Sequence, residues 1–231
     1  MRDSVAGKFI VLDGPDGCGK TTQIGLLTEY LEAKGVSVVR TYDPGGTEIG
    51  EQIRNLLKYD AKGKMDVHTE TMLFMASRAQ LVSQVIKPAL EEGKFVLCDR
   101  FVSSTCAYQG AGGYPVKKII ELAEYAIDGL WPDLTIILDI PVEDGRARTG
   151  QQSGQKTRQY HKDAGQSFLF QNTTADRFDS RTLEYHRKVR KGFLSLEGYY
   201  PSKVKIVSVE GLGVEEVKNK IIGVLEETKL L

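Results

Sequence analysis

Apolar residues gather in short, nearly unbroken runs: Phe9-Ile-Val-Leu, Val36-Ser-Val-Val, Phe95-Val-Leu, Leu134-Thr-Ile-Ile-Leu and Val204-Lys-Ile-Val-Ser-Val. Each is followed by a longer stretch with helical spacing. Runs of this kind, rich in β-branched residues and without polar alternation, predict strands covered on both faces. Their alternation with helical stretches predicts an α/β fold in three layers, α/β/α, around a five-stranded parallel sheet. Such a sheet collects its ligands at the carboxyl ends of its strands.

The helical stretch from residue 68 to 92 carries two stripes. Phe74 and Arg78 are four apart and share a face with Leu81 and Val85. Met72, Met75, Ala79, Val82 and Ile86 form a second stripe, about 100° round, that is expected to face the core. A core stripe explains Phe74 but not an arginine in the middle of it. A ring beside a guanidinium suits a flat polar base, which the one stacks on and the other bonds at its edge.

One compositional break interrupts the alternation, at about residues 149 to 175, which are rich in Gln, Gly, Ser and Thr. A polar excursion of that length inside a compact domain is either functional or disordered. Around it, residues 146 to 191 hold seven Arg and four Lys against three Asp and one Glu, so the segment is expected to meet an anion. We read about 146 to 177 as a lid inserted into one domain that spans 1 to 231.

The remaining bulk features exclude more than they propose. Lys+Arg and Asp+Glu balance at 31 each, which gives no general affinity for a nucleic acid polymer. No apolar run nears the roughly 20 residues that span a bilayer, and the first residues lack an apolar signal core, so no membrane association is expected. Cys18, Cys98 and Cys106 are an odd set without a CxxC pair, which predicts neither disulfides nor a zinc site and fits a reducing cytoplasm.

Candidate chemistry enters at Gly14-Pro-Asp-Gly-Cys-Gly-Lys-Thr21, a G-x-x-x-x-G-K-[ST] sequence between the strand at 8 to 13 and the helical segment at 22 to 34. In that context the motif is a phosphate-binding P-loop, and the fold is of the P-loop NTPase type. Its backbone N–H groups and helix N-terminus would receive the phosphates of ATP, over Gly14, Pro15, Asp16, Gly17, Cys18, Gly19, Lys20, Thr21 and Thr22. Lys20 would bridge the terminal phosphates, and Thr21 would offer its hydroxyl to Mg²⁺. Asp99 and Arg100 end the strand at 94 to 98, at the same sheet edge. There the carboxylate can serve magnesium and the guanidinium can fork a phosphate.

Taken together, Gly14 to Thr22, Asp43-Pro-Gly-Gly-Thr, Phe74-Met-Ala-Ser-Arg78 and Asp99-Arg-Phe-Val-Ser-Ser-Thr-Cys-Ala-Tyr-Gln109-Gly resemble the thymidylate kinase family of P-loop nucleoside monophosphate kinases, in its bacterial form. The resemblance runs from residue 8 to about 148 and resumes at Asp176. It implies that thymidine monophosphate accepts a phosphoryl group from Mg·ATP on the route to dTTP. It places Asp16 on the sugar 3′-hydroxyl, Phe74 against thymine, and Arg78, Thr105 and Gln109 around the base. Tyr108 would lie beside the sugar, Arg54 and Arg100 on the acceptor phosphate, and Pro44 and Ser104 within the same acceptor motifs. The lid would supply the arginine that bacterial P-loops lack, from Arg146, Arg148, Arg158 or Arg177, and two subunits would associate as a homodimer. Two departures stand out: Tyr42 where many bacterial members have Arg, and a longer lid.

Because a phosphate oxygen is already ionised at neutral pH, the acceptor needs no strong base, and catalysis should rest on positioning and charge neutralisation. Three other readings stay open from the residues alone: a kinase for another pyrimidine monophosphate or for a nucleoside, a nucleotide-dependent binding module, and an inactive relative.

Overall fold

The computed structural model describes residues 7–60, 65–149 and 181–231. Strands β1 (Phe9–Asp13), β2 (Val38–Tyr42), β3 (Phe95–Asp99), β4 (Leu134–Asp139) and β5 (Val204–Ser208) form one parallel sheet in the order β2-β3-β1-β4-β5. All five apolar runs are strands, as their patterning predicts. Val36 is outside β2: its N–H turns back to the Leu31 carbonyl and closes the preceding helix.

Residues 9 to 12 are fully buried and send alternate side chains to opposite faces. Phe9 and Val11 join one apolar cluster, with Leu81, Ile86, Val102, Ile119, Val189 and Phe193 from the helices on that face. Ile10 and Leu12 join the other, with Ile24, Leu27 and Leu31 of α1 (Lys20–Ala33) and Val217, Ile221 and Leu225 of α9 (Val214–Glu227). The sheet is therefore the middle of three layers. Strands β2 and β5, at its edges, are only partly buried.

The helices between are α2 (Glu48–Asn55), α3 (Val67–Leu81), α4 (Lys87–Glu91), α5 (Val102–Ala111), α6 (Val116–Ala126), α7 (Val142–Arg148) and α8 (Leu183–Leu194). Side-chain caps start several of them: Thr47 Oγ1 accepts from Gly50 N, Asp66 Oδ1 from His68 N, and Thr182 Oγ1 from Tyr185 N. The segment predicted as one helix from 68 to 92 is α3, a wider π turn at Val82–Ile86, and α4. Pro88 lies in the first turn of α4, and the wider turn before it relieves the clash that its ring would make with the carbonyl four residues back.

One predicted core position is exposed, and Ala79 of the same stripe is only partly buried. Met72 is 44% exposed, although Met75, Val82 and Ile86 of the same stripe are buried. Helix α3 packs on α2 and α6.

The connection leaving β1 runs to one side and that leaving β3 to the other, so the carboxyl ends of these two neighbours bound a crevice. Leu12 pairs with Asp99, and Tyr42 pairs with Asp99 on its far side. The loops after β1, β2 and β3 thus open on one edge. The predicted lid lies outside the described residues from 150 to 177. Among the described residues no helix is long and apolar enough to cross a membrane.

Candidate functional site

At the carboxyl end of β1 the chain turns through the P-loop into α1. The helix begins at Lys20, two residues before the sequence boundary, so Lys20 and Thr21 both ride on its first turn. Gly19 precedes it with φ +97°, a left-handed conformation that costs glycine little. Lys20 is buried, and its Nζ donates to the carbonyls of Gly14 and Pro15 at 3.0 Å each. The ammonium thus sits in the cradle that its own loop forms. Cys18 Sγ lies 3.5 Å from it, and burial pushes that thiol up.

Thr21 Oγ1 donates to Asp99 Oδ2 at 2.9 Å, which joins the two predicted magnesium ligands across 78 residues of sequence. A hydroxyl and a carboxylate are hard oxygen donors of the kind Mg²⁺ takes. Two protein ligands leave room for the phosphates and waters that it usually keeps, so the residues fit the ion. Among the described residues no group of three or more His, Cys, Asp or Glu could hold a metal.

Asp13 is the hub of the site, and the sequence reading missed it. Its fully buried carboxylate accepts from Gly14 N at 2.8 Å, Ser103 Oγ at 2.5 Å and Ser104 Oγ at 2.7 Å, and pairs with Arg100 Nη1 at 3.3 Å. The signal was present: an Asp closing β1 directly before the P-loop glycine, and two serines three and four residues after Arg100. Arg100 is held at φ +70°, a left-handed backbone that an arginine adopts only under tertiary constraint. Its Nη1 also donates to the Gly14 carbonyl and Ser104 Oγ, and its Nη2 to Asp16 Oδ1 at 2.5 Å. The donor loop and the acceptor-side arginine are therefore parts of one network.

Asp16 also accepts from the Tyr108 hydroxyl at 2.9 Å. Burial pulls its carboxyl up, but Arg100, Lys20 and the Tyr108 hydroxyl together outweigh that and hold it below the usual carboxylate value. Burial, reinforced by Asp16, drives the Tyr108 phenol well above its ordinary range. The carboxylate is thus kept charged beside a neutral hydroxyl.

Strand β2 ends on the unusual Tyr42. Its hydroxyl donates to Glu51 Oε1 at 2.6 Å, which also accepts from Gly46 N, while the Arg54 guanidinium lies 5.2 Å from the ring centroid. Burial and the Glu51 bond push this phenol up to about 12. Arg54 Nη1 donates to the Pro44 carbonyl at 2.7 Å. Tyr42 thereby ties the turn to α2 and carries Arg54 on its face. Arg54 rides on α2 and Arg100 follows β3, and the loops after β2 and β3 adjoin, since Asp43 N donates to the Asp99 carbonyl.

On the helix face of the crevice, Arg78 is 1% exposed. Its Nε and Nη2 reach Asp43 Oδ2 at 2.7 and 2.6 Å, and Nη2 also donates to Thr105 Oγ1 at 2.9 Å. Burial raises the Asp43 carboxyl, with Arg78 opposing. One turn along α5, Gln109 Nε2 donates to Glu70 Oε1 at 2.7 Å. Phe74, partly buried against the core, comes between Glu70 and Arg78 on α3.

Among the lid arginines, Arg146 and Arg148 fall on described residues and Arg158 and Arg177 do not. Arg146 follows Gly145, which packs against the P-loop so closely that a Cβ there would meet the Asp16 carbonyl at 2.4 Å. Its Nη1 is buried and has no partner among the described residues, whereas Arg148 is exposed. The neighbouring His186 of α8 is 7% exposed with its Nε2 also unpartnered. Cys106 is buried, as expected of a small core filler, and burial lifts its thiol to about 12.

Known proteins resemble this chain over nearly its whole length. The family model described as Thymidylate kinase matches residues 12–221. A thymidylate kinase of Symbiobacterium thermophilum is 44% identical over 221 residues, covering 95% of this chain and 92% of the relative. One from Limosilactobacillus fermentum is 40% identical, covering 94% and 95%. The crystal structure of thymidylate kinase from Ehrlichia chaffeensis superposes with a TM-score of 0.71 at 32% identity, covering 95% of this chain and 99% of that one.

Proposed function

The chain belongs to the thymidylate kinase family, and on that premise we propose how its residues phosphorylate thymidine monophosphate with ATP. The observation that carries the reading is the Asp13 network, which binds the Gly14 end of the phosphate loop and the Arg100 guanidinium to one buried carboxylate. A donor site and an acceptor site that share a hub suit transfer between two bound nucleotides.

Lys20 would leave the Gly14 and Pro15 carbonyls for the β- and γ-phosphates, which offer it full negative charge in place of two neutral dipoles. The acceptor's phosphate oxygen attacks the γ-phosphorus, the bond to the β,γ-bridging oxygen breaks, and ADP leaves. Arg100 and Arg54 orient the acceptor phosphate, while Arg146, with an unpartnered guanidinium nitrogen beside the P-loop, offsets charge on the group in transit. Bound through Thr21 and Asp99, Mg²⁺ would supply charge neutralisation on the phosphates. Asp16 and Tyr108 receive the sugar, and Phe74, Arg78, Thr105 and Gln109 receive the base.

The same reading includes one domain, a cytoplasmic setting and a homodimer. Support for the last is the apolar surface left on α2 and α3, where Ile49 is 51% and Met72 44% exposed, on the helix that also carries Phe74 and Arg78.

The test is ADP formation from Mg·ATP with thymidine, deoxyuridine, uridine, cytidine, adenosine and guanosine monophosphates. Strong preference for thymidine monophosphate is the expected outcome. Preference for a purine acceptor would overturn the base contacts, and no acceptor-dependent turnover would overturn the kinase reading.

A further inference from the structure

Glu70 is 2% exposed, sits on α3 four residues before Phe74 and eight before Arg78, and belongs to neither of the arrangements that hold the phosphates. Its Oε1 accepts from Gln109 Nε2 at 2.7 Å, and its Oε2 lies 3.9 Å from Arg181 Nη2, just ahead of α8. The contact decides which way the Gln109 amide faces. A carboxylate offers only acceptors, so the amide nitrogen must turn to Glu70 and the amide oxygen must turn away. Gln109 Oε1 is buried and has no hydrogen-bond partner among the described residues, a state that costs free energy unless a ligand supplies the donor.

We propose that Glu70 is a positioning residue that sets the acceptor preference, by fixing Gln109 as a hydrogen-bond acceptor toward the base. The inference rests on the acceptor site described above. The two rows of side chains that frame that site meet twice, at Arg78 with Thr105 and at Glu70 with Gln109, and Phe74 lies between. Thymine and uracil carry a donor, N3–H, between two carbonyl oxygens, whereas cytosine carries a bare N3 acceptor next to an amino group. An acceptor held rigidly in the pocket satisfies N3–H and opposes N3 of cytosine. Arg78, read above as a base contact, offers donors only, so its guanidinium has no acceptor for an amino group. The pocket therefore selects the dione pattern, and the choice is made by a carboxylate that does not touch the base.

Glu70→Gln tests this. A glutamine at 70 can accept from Gln109 or donate to it, so the Gln109 amide is free to present its nitrogen instead. The expected result is a drop of about tenfold in the ratio of kcat/KM for deoxyuridine over deoxycytidine monophosphate, carried mostly by KM for the two acceptors, with KM for ATP unchanged. These acceptors differ only at the N3 and C4 edge, so a general loss of structure would lower both rates and leave the ratio where it was. An unchanged ratio, with or without lower activity, overturns the role of Glu70 while leaving the kinase reading intact. Should the variant not fold, the wild-type enzyme decides: binding of deoxycytidine monophosphate as tight as that of deoxyuridine monophosphate overturns the fixed acceptor. Absence of any monophosphate-dependent ADP formation in the wild type would overturn the kinase reading itself, and with it this inference.

Discussion

Arg100 is gripped from several sides by Asp13, Gly14, Ser104 and Asp16, yet Asp13 does not depend on it, because Gly14 N and two serine hydroxyls also serve that carboxylate. Arg100→Ala is therefore expected to lower kcat/KM for the acceptor by at least about 100-fold while thermal unfolding moves by only a few degrees. Near-normal turnover would remove Arg100 from the mechanism. His186 makes a second, independent prediction. Burial lowers its imidazole below the ordinary 6.5, helped by Arg146 and Arg181 and opposed by Asp16. The unfolded chain takes up that proton near pH 6.5 and the folded one only at lower pH, so the unfolded state binds more protons in that window and stability falls as pH drops through it. Urea midpoints at about pH 7 and pH 5.5 should separate more for the wild type than for His186→Phe; equal separations would show that this histidine does not couple to folding. At this scale the residues carried by motifs were legible in the sequence, because spacing along one strand or helix turn is local. Asp13, Ser103 and Glu70 were not, since each acquires its meaning from a partner far along the chain.

At the scale of elements, the contact between the P-loop and α7 is the tightest in the site. Gly17, at φ +78°, and Gly145 face each other backbone to backbone, and a Cβ on Gly17 would come 2.1 Å from the Gly145 carbonyl. Gly145→Ala would push its methyl into the Asp16 carbonyl, and Asp16 belongs to the Arg100 network. Transfer is expected to fall at least about tenfold, with the circular dichroism of the helices and sheet preserved. Unchanged kinetics would mean that the loop yields freely. The strands were legible from their apolar runs because both faces of a central strand must be buried whatever its partners. The exposure of Met72 was not, because it depends on which neighbours cover α3, and the division of the long helix was read over although Pro88 marked it.

For the whole molecule, three layers follow from alternating strands and helices, and the sequence expectation of a five-stranded parallel sheet matches the structure. How molecules associate is a property of the same scale. In the homodimer proposed above, Met72→Glu, at a side chain 44% exposed and outside the monomer core, is expected to shift sedimentation toward the monomer; a dimer that persists would move the interface elsewhere. The pairing of Leu12 with Asp99 has a further consequence. It sets the loop that holds the donor and the residue that leads into Arg100 one rung of a hydrogen-bond ladder apart, a spacing of about 4.8 Å that strand chemistry fixes to within a few tenths of an ångström. The sheet is in that sense a measuring gauge: the gap that the phosphoryl group must cross is ruled by backbone amides rather than by any side chain. Insertions in the loops leave the gauge untouched, whereas a slip of one residue in β1 or β3 would miscalibrate it by about 3.3 Å.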